Sequence, residues 1–301
     1  MGYIFLLISL LLGTTKGYCG KKMGYFSPNT MSDVLLNFAR MVLCIVFGTL
    51  LIFVCKDTGY LTLNSKLLMI SAFSGISTSF FVVTWLISVK KSAYMMLDVS
   101  LMLGTLVPMI FGYFLFNEKI SLNQWIGFII LIGAVIIMCS YNNSIKTKLN
   151  IFSFLLLLIC GFANGLTDFS QKMFVKTLPD IPVSIFNLYT YIFAAAALFV
   201  VFWVQFSNGK TAQFEENSSN KYWYIIVMSA SLILNSYFKT KSALYLDSAQ
   251  LYPLNQGMAL ILSTLMASVF FKEKMTVKCV VGIFIAFIGL LIMNVDKLGL
   301  G

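Results

Sequence analysis

Runs of about twenty apolar residues, the length that crosses ~30 Å of hydrocarbon, follow one another along almost the whole chain. The spans predicted are residues 2–21, 32–55, 66–89, 92–116, 122–141, 151–172, 182–206, 222–246, 249–271 and 277–295. Inside a bilayer every backbone N–H and C=O needs a partner within the protein, and runs this long cannot be barrel strands, so each reads as a helix. The expected fold class is therefore all-α integral membrane, with ten transmembrane helices. Composition agrees: 59% of the 301 residues are hydrophobic and 11% charged, against roughly 25% charged in soluble domains. A soluble sphere cannot hide that much apolar surface, so lipid must cover part of it.

Several classes of chemistry are excluded or disfavoured. The chain has no His, which removes His-based acid–base catalysis, His-ligated metal and Ser-His-Asp triads. The cysteines Cys19, Cys44, Cys55, Cys139, Cys160 and Cys279 show no C-x-x-C spacing and several fall inside apolar runs. They read as small buried hydrophobes, so no metal and no cofactor is expected. The net charge of +10 reflects 20 Lys and one Arg against 11 acids, spread singly or in pairs between apolar segments; lysines at the ends of spans suit snorkelling and the positive-inside rule. No basic stripe exists for nucleic acid. Residues 1–12 lack a basic lead and a small-residue cleavage site, and Gly17-Tyr18 before Cys19 makes a poor lipobox. They read as a span that is retained. The longest hydrophilic connection, residues 207–221, has no hydrophobic period and reads as a surface loop.

The chain repeats itself. Phe116-Asn117-Glu118-Lys119 is echoed 155 residues later by Phe271-Lys272-Glu273-Lys274. In both copies a Gly stands nine residues after the Glu (Gly127, Gly282), and the apolar run that follows ends at Met138 or Met293. The halves are placed at residues 1–146 and 147–301. Five helices per half is an odd number, so the second half enters the membrane inverted with respect to the first. Inverted repeats let one scaffold take two nearly equivalent conformations, open to opposite sides, as secondary transporters require.

With its five-plus-five spans, a Glu closing the fourth span of each half (Glu118, Glu273), a Gly-rich fifth span and Tyr252-Pro253-Leu254 opening the ninth, the chain resembles the drug/metabolite transporter superfamily, EamA type, over essentially its whole length. The resemblance implies a carrier for a small metabolite such as an amino acid or a related amphipathic compound. It also implies N- and C-termini on the cytoplasmic side, an orientation that the loop lysines do little to decide. Asn117 and Lys272 depart from the pattern, since the family often has Gly before the Glu. Glu118 and Glu273 fall on opposite membrane faces in an inverted repeat. They cannot form a two-carboxylate site and read as organisers of the connection to the following helix.

Candidate binding residues lie within the spans. Asp98, about two turns into the fourth span with Tyr94 one turn before it, is an intramembrane acid and so a functional candidate; a structural pairing with Lys90 or Lys91 is the alternative. Asn164 and Asp168 share a helical face in a span interrupted by Gly and polar residues, as the first span is after Leu12; alternatively the span ends early there. Tyr252, Asn255, Gln256, Ala259 and Ser263 form one polar-to-small stripe on the ninth span, suited to a hydrophilic cavity or to interhelical hydrogen bonds. Ser231, Asn235 and Lys239 repeat the idea on the eighth, where Lys239 could instead snorkel. Ser71, Ser74 and Thr78 share a face on the third that continues to Trp85, which suits a vestibule or an interfacial aromatic belt. The reading is a carrier alternating about a central cavity lined by the third, fourth, eighth and ninth spans. Its partners are a small-molecule solute, membrane lipid and protons as coupling ion; nucleic acid is not among them, and a monomer is the expected functional unit. A passive facilitator needs a continuous polar pore, and a membrane-embedded enzyme needs clustered acids or a metal; the residues show neither. The Lys-, Ile- and Asn-rich usage with a single Arg suggests a bacterium with an AT-rich genome, hence its cytoplasmic membrane.

Overall fold

The computed structural model describes residues 1–24, 26–91, 94–139, 151–214, 221–271 and 277–298. Among these it contains eleven α-helices, one short 3-10 turn at Thr58–Tyr60 and no strand. The helices are α1 (Gly2–Gly24), α2 (Thr30–Cys55), α3 (Ser65–Lys91), α4 (Tyr94–Gly104), α5 (Leu106–Phe116) and α6 (Leu122–Cys139), then α7 (Ile151–Thr177), α8 (Val183–Ser207), α9 (Lys221–Ala243), α10 (Ser248–Phe271) and α11 (Val277–Leu298). They match the ten predicted spans, with one difference: the fourth is broken into α4 and α5 at Thr105. Pro108 explains the break, because it has no N–H for the Gly104 carbonyl and its ring crowds that carbonyl. Helices α1, α2, α3, α8 and α10 are long and apolar enough to cross a bilayer, with shorter apolar stretches at Ser100–Phe116, Leu122–Ala134 and Val280–Val295.

Exposure separates lipid faces from protein faces. On α11, Val280, Phe284, Phe287, Ile288 and Leu291 are exposed while Ala286, Leu290 and Met293 are buried. The exposed set recurs at the helical period, so one stripe of that helix meets lipid and the other meets protein. Along α8, Phe199, Val200, Trp203 and Val204 are exposed in the same way. Polar residues such as Asn37, Asp168 and Gln171 are buried instead, the reverse of a soluble helix.

The chain divides into two compact units, Met1–Lys90 with Ser170–Tyr245, and Lys91–Phe169 with Leu246–Gly301. Each takes helices from both sequence halves. In the first unit α1 packs on α9, and α2 on α8 and α9. Ser242 Oγ donates to the Gly2 carbonyl at 2.9 Å, and Phe174 stacks on Phe186 with ring centroids 4.2 Å apart. The start of α2 is capped by Asn29, whose side-chain oxygen accepts the Ser32 N–H at 2.8 Å. One turn on, Asp33 forms an ion pair with Lys90 of α3.

In the second unit α6 packs on α11, and α10 touches α4, α5, α6 and α11. Its core gathers Met102, Met109, Phe128, Leu131, Leu260, Leu290 and Met293. Helix α4 lies against α7 through glycines. A Cβ added to Gly104 would collide with the Gly161 carbonyl, and one added to Gly161 with the Ser100 carbonyl. Small residues let the two backbones approach that closely.

Two features of the repeated motif become clear here. Asn117 takes a left-handed conformation (φ 52), which turns the chain so that the Glu118 N–H closes onto the Gly112 carbonyl at 3.2 Å as the cap of α5. Gly and Asn are the residues that tolerate this backbone, so Asn117 suits the position. Asn117→Val is expected to lower stability by about 1 kcal/mol, and Asn117→Gly to leave it unchanged, as read by thermal unfolding in detergent. Nearer residues cap the helix that follows. Ser121 and Gln124 do so reciprocally, Gln124 Oε1 accepting the Ser121 N–H at 2.9 Å and Ser121 Oγ accepting the Gln124 N–H at 3.2 Å. The Glu118 carboxylate instead accepts the Ser248 N–H at 2.8 Å, placing a negative charge at the start of α10.

Candidate functional site

Polar side chains in the first unit form a buried belt across four helices. On α3, Ser71, Ser74 and Thr78 are buried and their hydroxyls have no hydrogen-bond partner among the described residues. The same face carries Gly75, where a Cβ would strike the Thr190 carbonyl and Ala194 N of α8, so α3 and α8 run close together. From α7, Gln171 Nε2 donates to Ser236 Oγ of α9 at 3.3 Å, and Ser236 donates to Asn187 Oδ1 of α8 at 2.9 Å. Gln171 Oε1, Asn187 Nδ2 and Thr190 Oγ1 remain unpaired although buried. Buried polar atoms are nearly always satisfied, so a set of such orphans in one helical unit calls for a partner other than its own side chains.

The other expected residues of this unit are occupied in different ways. Asn235 donates to the Ser9 carbonyl at 2.6 Å and to Ser9 Oγ at 3.0 Å, which ties α9 to α1. Lys239 is buried rather than extended to an interface. Trp85 is buried as well, its ring filling the space left by the missing side chain of Gly20.

In the second unit, the sequence pair on α7 meets the stripe on α10. Asp168 is fully buried; Asn164 Nδ2 lies 3.5 Å from its Oδ2, and Tyr252 donates its hydroxyl to the Asp168 carbonyl at 2.7 Å. Asn255 and Gln256 are buried on the same helix as Tyr252. Tyr94 and Asp98 fall on α4, and their side chains lie outside the described residues; Glu273 lies outside them altogether.

Three buried charged groups stand out only in the structure. Arg40 on α2 and Lys172 on α7 are each 2% exposed, Lys172 reaching the Ala243 carbonyl at 3.2 Å; Asp33 is the third. The signal for Arg40 was present in the sequence: the only arginine of the chain sits inside its second apolar run. A cavity of about 450 Å³ opens at one end of this unit, lined among others by Asp57, Tyr60, Asp180, Tyr237 and Lys241. Lys241 lies 4.7 Å from the Tyr237 ring centroid, a cation–π contact. Among the described residues no group of three metal-ligating side chains occurs.

Residues 151–295 match the model of the EamA-like transporter family. This stretch, just under half of the chain, is similar to that family. The EamA-like match begins at the first residue of α7 and ends within α11, so it covers the second set of five helices. A solved crystal structure superposes on the chain with a TM-score of 0.73, covering 99% of this chain and 98% of the other at 11% identity; at that identity the likeness shows the fold alone. No curated protein sequence matches the chain. The apolar helices make the chain a multi-pass membrane protein, and residues 151–295 resemble EamA-like transporters.

Proposed function

We propose that the protein is a secondary carrier that exports a small amphipathic metabolite, such as an amino acid, by alternating access across the cytoplasmic membrane of a bacterium, with both termini inside. The observation that carries this reading is the set of orphaned polar atoms on α3, α7 and α8 of the first unit. Polar groups held at hydrocarbon depth without partners are costly, and a polar solute in passage offsets that cost. The Asn164–Asp168–Tyr252 cluster gives the second unit a polar interior of its own.

The internal repeat supports alternation rather than an open pore. Helix α11 starts 155 residues after α6, α10 starts 154 after α4, and α8 starts 153 after α2. These offsets support a division into halves at 1–146 and 147–301, in which an odd number of spans per half inverts the second. Protons are the proposed coupling ion, with Asp98 as the group that takes them up.

Purified protein in proteoliposomes tests the reading. Labelled amino acid outside is expected to accumulate transiently when unlabelled amino acid is loaded inside, a counterflow that a carrier shows and a channel does not. Asp98→Asn is expected to flatten the pH dependence of that uptake while leaving exchange measurable. Downhill flux with no counterflow would favour a passive facilitator and sink the carrier reading.

A further inference from the structure

Arg40 stands ten residues into α2, roughly 15 Å along the helix from its start, and is buried from solvent. A guanidinium does not lose its proton in a protein, and at that depth an ionised group is expensive unless a counter-charge meets it. Among the described residues no carboxylate does so. Asp33, seven positions earlier on the same helix, is engaged by Lys90 and by Ser27. Asp57 receives the Ser184 hydroxyl, and Asp180 lines the cavity at the end of the unit.

The polar neighbours of Arg40 do not neutralise it either. Tyr191 gives its hydroxyl proton to the Leu232 carbonyl at 3.4 Å, and Cys44 gives its thiol proton to the Ser229 carbonyl at 3.4 Å. Asn37 is held by donation to the carbonyls of Asp33 and Val82 at 2.9 and 3.4 Å. It thereby presents its oxygen to Arg40 Nη1 at 2.5 Å. That one bond orients the guanidinium without discharging it, and Nε has no acceptor among the described residues.

Arg40 lines a small cavity together with Lys16, Phe81, Trp85 and Met228. Its free volume is about 10 Å³, room for about one water, so this conformation is closed over the group. Lys16 lies over the Phe81 ring at 5.8 Å. The surroundings thus combine a fixed cationic fork, a second cation and aromatic or apolar walls. A guanidinium fork matches the paired oxygens of a carboxylate or phosphate, and the walls match a hydrocarbon or aromatic body.

We infer that Arg40 is the anion-binding residue of the carrier: it takes the carboxylate or phosphate oxygens of a solute whose remainder is apolar, as the site opens. This rests on the transporter reading and narrows its substrate to amphipathic organic anions. A zwitterionic amino acid fits through its carboxylate, and a purely cationic solute does not fit.

Thermal unfolding of the detergent-purified protein with four probes that share one aromatic body tests the inference: phenylacetate, phenyl phosphate, phenylacetamide and phenethylamine. The expected result is a raised melting temperature with one or both anions and none with the amide or amine. Phenylacetate against phenyl phosphate then identifies the head group. In Arg40→Gln the shift is expected to vanish while the ligand-free protein melts no lower than wild type, because the uncompensated charge is gone. A group needed only for the fold would lower it. Arg40→Lys keeps the charge without the fork and is expected to bind roughly tenfold more weakly. Equal shifts with the amide, a shift that persists in Arg40→Gln, or no shift with either anion would each overturn the inference. The wild-type comparison stands whether or not the variants fold. Counterflow separates the two readings: anion stabilisation without exchange removes the carrier and keeps the site, and exchange of the amine but of neither anion removes the site and keeps the carrier.

Discussion

Gly161→Leu is expected to destabilise the second unit by on the order of 3 kcal/mol or more. A Cβ at Gly161 meets the carbonyl of Ser100, and the reciprocal positions are equally tight: Gly104 faces the Gly161 carbonyl, and Gly165 faces the Gly104 carbonyl. These obstacles are main chain, which cannot rotate aside as a flexible side chain can. To admit one methyl group the helices α4 and α7 must separate, and the separation loosens every contact along the crossing. Ser100 would also lose the bond from its hydroxyl to the Leu157 carbonyl. The measurement is the melting midpoint and the monodisperse fraction of the purified protein in detergent. Gly161→Ala should show the loss in smaller degree. Gly133, on α6, has nothing within 4 Å of the corresponding position, and Gly133→Ala is expected to be neutral or to stabilise by up to about 1 kcal/mol. If Gly161→Leu and Gly133→Ala behave alike, the close crossing is not formed.

Asp33→Asn is expected to cost on the order of 3 kcal/mol. The carboxylate pairs with Lys90 and accepts the Ser27 hydroxyl at 2.6 Å, while the same lysine donates to the Ser27 carbonyl. Asp33 is 2% exposed and the Lys90 side chain 20%. Removing the acid therefore strands a cation that is four-fifths withdrawn from water. Lys90→Met alone strands the acid and is expected to cost a similar amount. The double variant Asp33→Asn with Lys90→Met leaves neither charge behind and should recover most of the loss, since a buried pair is often no better than apolar groups of the same volume. Melting midpoints of the four proteins close this cycle. Raising salt should change them little, because a buried pair is weakly screened. A double variant no more stable than the singles would refute the pairing.

The spans were legible because bilayer thickness sets a length that composition alone can meet, and the repeat was legible because its motif recurs at the interval that separates α6 from α11. The helical face of a polar residue was legible too, since periodicity assigns it. The neighbour that meets the face was not. Asn235 looked like part of a cavity stripe, and it bonds Ser9 on α1, a residue 226 positions away. Glu118 reads as an organiser of the connection to the next helix, and its bond from the Ser248 N–H at the start of α10 is seen in the packing alone. Arg40 is one cation among many by composition, although its place inside an apolar run sets it apart from the lysines at span ends. The membership of the two compact units was also hidden, because helices from both halves interleave in each and only the packing shows which pair together.

The interruption between α4 and α5 carries one more consequence. A helix that stops and restarts within an apolar stretch has main-chain dipoles at the break, with carbonyls ending one segment and N–H groups beginning the next. At Gly104 the next turn offers Pro108, which has no proton to give. Polarity of this kind belongs to no side chain, so in an alanine scan of α4 and α5 Pro108→Ala alone would remove its cause. Only a change at Pro108, restoring the missing donor and with it a continuous rod, would erase it.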